Sequence, residues 1–147
     1  MSYPTNSGLP RRIAAMLYDA FLVLALMFMA TIPFIALRSG EPVEVGENLL
    51  YRLVLAAIVF TFFVGFWSRS GRTLGMQSWG LQLETRDGRV PSAATASLRF
   101  FAAILSLIPL GLGFLWQIID KDKLTWHDRL SKTRLVYYPR EKKPKRD

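Results

Sequence analysis

Between Arg12 and Arg38 the chain runs for 25 residues with a single charge, Asp19. At ~1.5 Å of rise per residue, a helix over Ile13–Ile32 is ~30 Å long, the thickness of a bilayer's hydrocarbon core. The run exceeds the roughly 7–15 residues of a signal-peptide core, so it reads as a retained membrane span. Pro33 is expected to kink or end that helix, because it has no N–H to donate. A second apolar stretch covers Leu49–Trp67, with Arg52 placed to snorkel and Trp67 suited to the interfacial aromatic belt. A third, Phe100–Ile119, is uncharged throughout but interrupted by Pro109, Gly111 and Gly113. The expected fold is an all-α integral membrane protein with a small β element.

Composition narrows the function classes. Half of the 147 residues are hydrophobic, yet the net charge is +8. A nucleic-acid binder carries its basic face on an ordinary soluble core, so nucleic acid is not an expected partner. A bilayer protein with Lys and Arg at its cytoplasmic edges fits both numbers. With no Cys and one His, disulfides, thiolate catalysis and Cys- or His-cluster metal sites are excluded, and no cofactor is expected.

Three regions follow from the polar segments. Residues 1–10 read as a loose cytoplasmic tail, 11–138 as the membrane domain, and 139–147 as a disordered polybasic tail that either attracts anionic lipid or is solvated and only sets topology. Within the domain, 38–48 is an acidic loop. Leu81 and Leu83 alternate with Gln82 and Glu84 as in a half-buried strand, and Thr133–Tyr138 is a second strand-like run. Asp87-Gly88 marks a turn, and Ser92 is placed to cap the following helix.

Orientation poses a conflict. Residues 38–52 hold two Arg against three Glu, whereas 68–99 hold five Arg and 120–147 hold ten Lys or Arg. The positive-inside bias therefore puts the N-terminus, 68–99 and the C-terminal segment all in the cytoplasm. Three simple spans would leave the C-terminus outside. A helical hairpin turning at Pro109–Gly113 would return it, and a third full span with a kinked middle is the alternative.

These motifs resemble the RDD family of small bacterial membrane proteins, named for one Arg and two Asp. The likeness covers about residues 9–137. Arg12, Ala15 and Asp19 in LPRRIAAMLYDAF resemble the first signature. Gly71, Thr73 and Gly75 in GRTLGMQSWGLQL resemble the central one, which Asp87-Gly88 and Leu98-Arg99 continue. His127-Asp128-Arg129-Leu130, with Thr133 and Val136, resembles the closing one. Ser131-Lys132 and Met76 depart from the common pattern, away from the name-giving positions. The resemblance implies residence in the bacterial inner membrane and a role in transport.

Asp19 lies about 9 Å into the first span, where an ionised carboxylate costs ~2.5–3.5 kcal/mol unless it faces protein or water. It is either a proton or cation site or a polar clamp to another helix or to Arg12. Arg12, seven residues earlier on nearly the same face, is either a partner in the same polar cavity or a plain interfacial anchor. Arg12, Asp19 and Asp128 are expected in one cluster, with Arg99 and Arg129 as further cations. Asp128 is expected to cap a helix or pair with Arg12 or Arg99. His127-Asp128 lacks the geometry of an acid–base pair, since adjacent residues do not share a helix face. Gly71–Gly75 lacks the Lys-Ser/Thr ending of a phosphate loop and reads as a tight turn. No enzyme is expected. Transport of an ion or small solute through an Asp19–Arg12 site would need a homo-oligomer, given so little helical mass. The alternative is a scaffold or partner subunit of another membrane protein.

Overall fold

The computed structural model describes residues 5–43, 46, 48–108 and 112–139. Helix α1 spans Leu9–Leu37. Pro10 sits in its first turn, where a missing N–H costs nothing. Its buried residues are Arg12, Ala15, Asp19 and Val23, a single stripe at helical spacing. Elsewhere the helix is apolar and bare, with Phe21 and Phe28 more than 70 % exposed. Only 6 % of its most apolar window is buried within the protein, and 17 % for the second long helix. The core helix of a soluble protein would be mostly buried, so these two faces are made for lipid.

Of the two expected effects of Pro33, a kink or an end, the structure excludes the end: the helix continues one turn to Leu37. The Pro leaves the Met29 carbonyl without its helical donor, a loss membrane helices tolerate when neighbours brace the turn. Here the Tyr51 hydroxyl lies 2.8 Å from Thr31 Oγ1, and its ring packs edge-on against Phe34.

Helix α2 spans Leu49–Ser70, three residues longer than the apolar run. The Asn48 side chain accepts from Tyr51 N at its start, and Gly71, at φ +68°, ends it in the left-handed region that favours glycine. A short helix α3 (Leu74–Ser78) follows, capped by Thr73. Helix α4 spans Ala93–Leu107, with the Ser92 hydroxyl accepting from Thr95 N as its cap. The chain then packs back on α4 through α5 (Leu112–Leu115): a Cβ on Gly113 would lie 2.6 Å from Ser106 Cβ. A 3-10 turn (Trp116–Ile118) leads on toward α6 (Trp126–Leu130). Phe100–Ile119 is thus not one helix. The expected turn residues Pro109–Gly111 lie outside the described residues, as does the polybasic tail beyond Pro139.

The two strand-like runs do pair. With β1 over Thr5–Asn6, β2 over Leu81–Thr85 and β3 over Thr133–Tyr137, the sheet is antiparallel in the order β1-β3-β2. Leu81 and Leu83 point into a small core with Ala15, Met76 and Leu135. The first strand is a correction, since residues 1–10 read as a loose tail. Thr5 and Asn6 pair with Tyr137 and Val136, and the buried Ser7 hydroxyl donates to Leu135 O at 2.9 Å. Together they satisfy the free edge of β3.

Candidate functional site

Asp128 is the centre of the first polar constellation. It occupies the third position of α6, where Thr125 and Asp128 form a capping box: each side chain accepts from the other's backbone N–H. The same carboxylate then accepts from two arginines. Arg12 Nη1 donates to Oδ2 at 3.0 Å and Arg99 Nη1 to Oδ1 at 2.5 Å. One buried side chain therefore ties α1, α4 and α6 together. Arg12 also donates from Nε to Ser7 Oγ at 2.8 Å, and Arg99 from Nη1 to Thr133 Oγ1 at 2.7 Å, so both reach the sheet segment.

The charges do not cancel. Two guanidiniums share one carboxylate, with Arg12 and Arg99 each 5 % exposed. Burial opposes ionisation of Asp128, but Arg99 first and then Arg12 outweigh it and hold the carboxyl well below the usual range. Burial, and next the charge on Arg99, push His127 down to about 3. His127 is therefore neutral near pH 7, and the cluster keeps one net positive charge.

Asp19 forms a second constellation without an arginine. Thr73 Oγ1 donates to its Oδ2 at 2.5 Å and Gly75 N to its Oδ1 at 2.8 Å. This explains the Gly71–Gly75 spacing. Gly71 makes the left-handed turn out of α2. Thr73 accepts from Met76 N as the cap of α3 while donating to Asp19. Gly75 lets α3 lie on α1, since a Cβ there would sit 2.4 Å from Ala15 O and 2.9 Å from the Asp19 carboxylate.

Both constellations border one cavity of about 630 Å³ between α1, α2, α4 and the returning segment. Arg12, Asp19, Thr73, Arg99, Gln117, Thr125 and His127 line its polar part, and Phe63, Trp67 and Phe100 much of the rest. That volume lies within the usual range for small-molecule sites.

A model of the RDD family matches residues 7–132, most of the chain. The chain belongs to the RDD family. No curated protein and no solved structure matches it.

Of the three residues that resemble the family's name-giving ones, Arg12 and Asp128 are directly bonded, with Arg99 beside them. Asp19 does not join them. It is about 10 Å along the helix from Arg12, whose side chain leans the other way, and α3 brings two neutral donors closer than any cation. Arg129 is also outside the cluster: it is half exposed and pairs with Asp120 and Asp122. His127 is buried beside the arginines. Reasoning from sequence passed over Gln117 and Thr125. Gln117 was visible as one of the few polar residues in an uncharged run. Thr125 was visible as the first position of a T-x-x-D cap.

Proposed function

We propose that this RDD protein is a multi-pass protein of the bacterial inner membrane with both termini in the cytoplasm, and that it binds an ion or small solute in the cavity between Arg12 and Asp19. In this reading α1 and α2 span the bilayer, while α4 and the segment after it enter and return on one side. The bond between Arg12 at the start of α1 and Asp128 after the return supports it, as does the concentration of Lys and Arg in the same segments. Transport follows as the role of an oligomer, since two spans and a half-depth hairpin cannot enclose a pathway.

The observation that carries the binding reading is the cavity itself, because it joins the two constellations and is otherwise walled by apolar side chains. No catalysis is assigned. His127, pushed down to about 3, is a poor base at neutral pH. A second reading, a scaffold or partner subunit, is favoured by a different observation: Arg12, Asp128 and Asp19 all make hydrogen bonds that hold elements of this chain together. Two experiments decide. A reporter fused after Asp147 must read cytoplasmic, and an external signal would end the hairpin topology. In proteoliposomes, solute flux must fall in Asp19→Asn; flux equal to wild type removes Asp19 from the pathway and leaves the scaffold reading.

A further inference from the structure

Two polar side chains at the cavity are buried with unspent hydrogen-bonding capacity. Arg99 spends Nη1 on Asp128 and Thr133, but its Nε and Nη2 make no hydrogen bond to any described residue. Gln117 is 5 % exposed, and its amide likewise has no partner among the described residues. Neither group is sealed in unmet: these atoms keep access to open space, where an occupant or water can meet them. Both residues line the cavity. The Nε–Nη2 edge of a guanidinium is the fork that matches the paired oxygens of a carboxylate or phosphate. The Trp67 ring lies 5.4 Å from the Arg99 guanidinium carbon and gives it an apolar flank.

Charge points the same way. Arg12, Arg99 and Asp128 carry a net positive charge. That excess is local to the arginine end: an ionised Asp19 offsets it over the cavity as a whole, but sits about two helical turns away on α1, bonded to Thr73 and Gly75 and in no ion pair among the described residues. A buried excess of one sign is stabilised by an occupant of the other. The wall also includes Thr73, Thr125 and His127 and is otherwise largely apolar, with Phe63, Phe100 and Leu115.

We infer that the cavity binds an oxyanion carried on an apolar body, a carboxylate or phosphate head with a short hydrocarbon chain, its oxygens held by Arg99 Nε and Nη2 and by the Gln117 amide. The inference rests on the reading of the cavity as a binding site and names the class of molecule it takes.

The test is direct binding, independent of flux, to the full chain in nanodiscs of zwitterionic lipid. Octanoate and octyl phosphate are titrated alongside octylamine and octanol, with tryptophan fluorescence or calorimetry as readout. Saturable binding of octanoate or octyl phosphate, and not of the amine or alcohol, is expected; which anion binds tighter tells a carboxylate site from a phosphate one. Arg99→Lys keeps a cation beside Asp128 but removes the fork, and should weaken binding about tenfold or more. Gln117→Leu loses no side-chain hydrogen bond among the described residues, so it should weaken binding with thermal stability unchanged. It decides the matter if Arg99→Lys fails to fold. Wild-type affinity in both variants, or no saturable binding of either anion, overturns the inference. Binding of octylamine that is lost in Asp19→Asn would reverse the charge of the ligand while leaving the cavity as the site. Anion binding without flux would sink transport alone.

Discussion

The single histidine makes a pH experiment unusually clean. His127 is 4 % exposed and titrates at about 3, against an ordinary value of 6.5. Folding therefore forces it to stay neutral where the unfolded chain would take a proton. For a group whose folded pKa is lowered in this way, the penalty is absent above about pH 6.5 and grows as pH falls toward about 3. The unfolded state binds more protons in that window, so stability rises with pH there. Each unit is worth about 1.4 kcal/mol, so at pH 5 the protein should be about 2 kcal/mol less stable than at pH 8. Asp128 adds nothing to this slope. Its carboxyl is held low by Arg99 and Arg12, so its contribution begins to be lost only below the unfolded value of about 3.8. Equilibrium unfolding in mixed micelles at pH 8, 7, 6 and 5 measures the slope, in wild type and in His127→Gln. The variant should be flat over this range. A flat wild-type profile, or a slope that survives in His127→Gln, would refute the argument that His127 is buried neutral.

Further substitutions separate the two constellations. Asp128→Asn leaves two buried guanidiniums without a counter-charge and should cost about 3–5 kcal/mol of unfolding free energy, the largest loss of the set. Asp19→Asn keeps one acceptor for Thr73 or Gly75 and should cost about 1–2 kcal/mol. It should be milder than Arg12→Ala, which removes bonds to Asp128, Ser7 and Leu135 together; the reverse order in the same assay would show that Asp19 carries more than a clamp. Gly75→Ala drives a methyl into Ala15 O and should cost about 1–3 kcal/mol. Gly65→Ala on α2, with nothing within 4 Å of the added methyl, should be neutral or gain up to about 1 kcal/mol.

How much of this was legible in the sequence depends on how local each signal is. The two long helices were, because apolarity over 20 residues needs no partner to be recognised. The pairing of the runs Gly80–Glu84 and Thr133–Tyr138 was legible because they are the two strand-like runs and both abut segments on the side favoured by the charge bias. β1 was not: two residues, Thr5 and Asn6, carry no periodicity, and their strand exists only because β3 offers a free edge. The Asp128 cluster was legible in outline, since a buried carboxylate calls for cations and Arg12 and Arg99 lie on the same side by charge bias. The partner of Asp19 was not. A search for opposite charge finds arginines, whereas one donor turned out to be a backbone N–H, which every residue but proline has. What marks it is steric: only a glycine at position 75 lets α3 approach Asp19 so closely.

The two acids thus solve the same problem by different physics. In a low-dielectric interior an ionised carboxylate needs either an opposite charge or several oriented dipoles. Asp128 takes the first route and is over-supplied, with two arginines for one carboxylate. Asp19 takes the second, with a hydroxyl and the first turn of a short helix, and brings no cation with it. The consequence is a separation of charge along the cavity, with an excess positive end at Arg12 and Arg99 and an acidic end at Asp19, about two helical turns apart on α1. Had Asp19 joined Arg12 and Asp128 in one cluster, as the sequence led one to expect, the charges would cancel there and an occupant would find no unmet charge in the cavity. Because Asp19 is satisfied by neutral donors instead, the arginine end keeps its excess, and the cavity keeps a reason to bind.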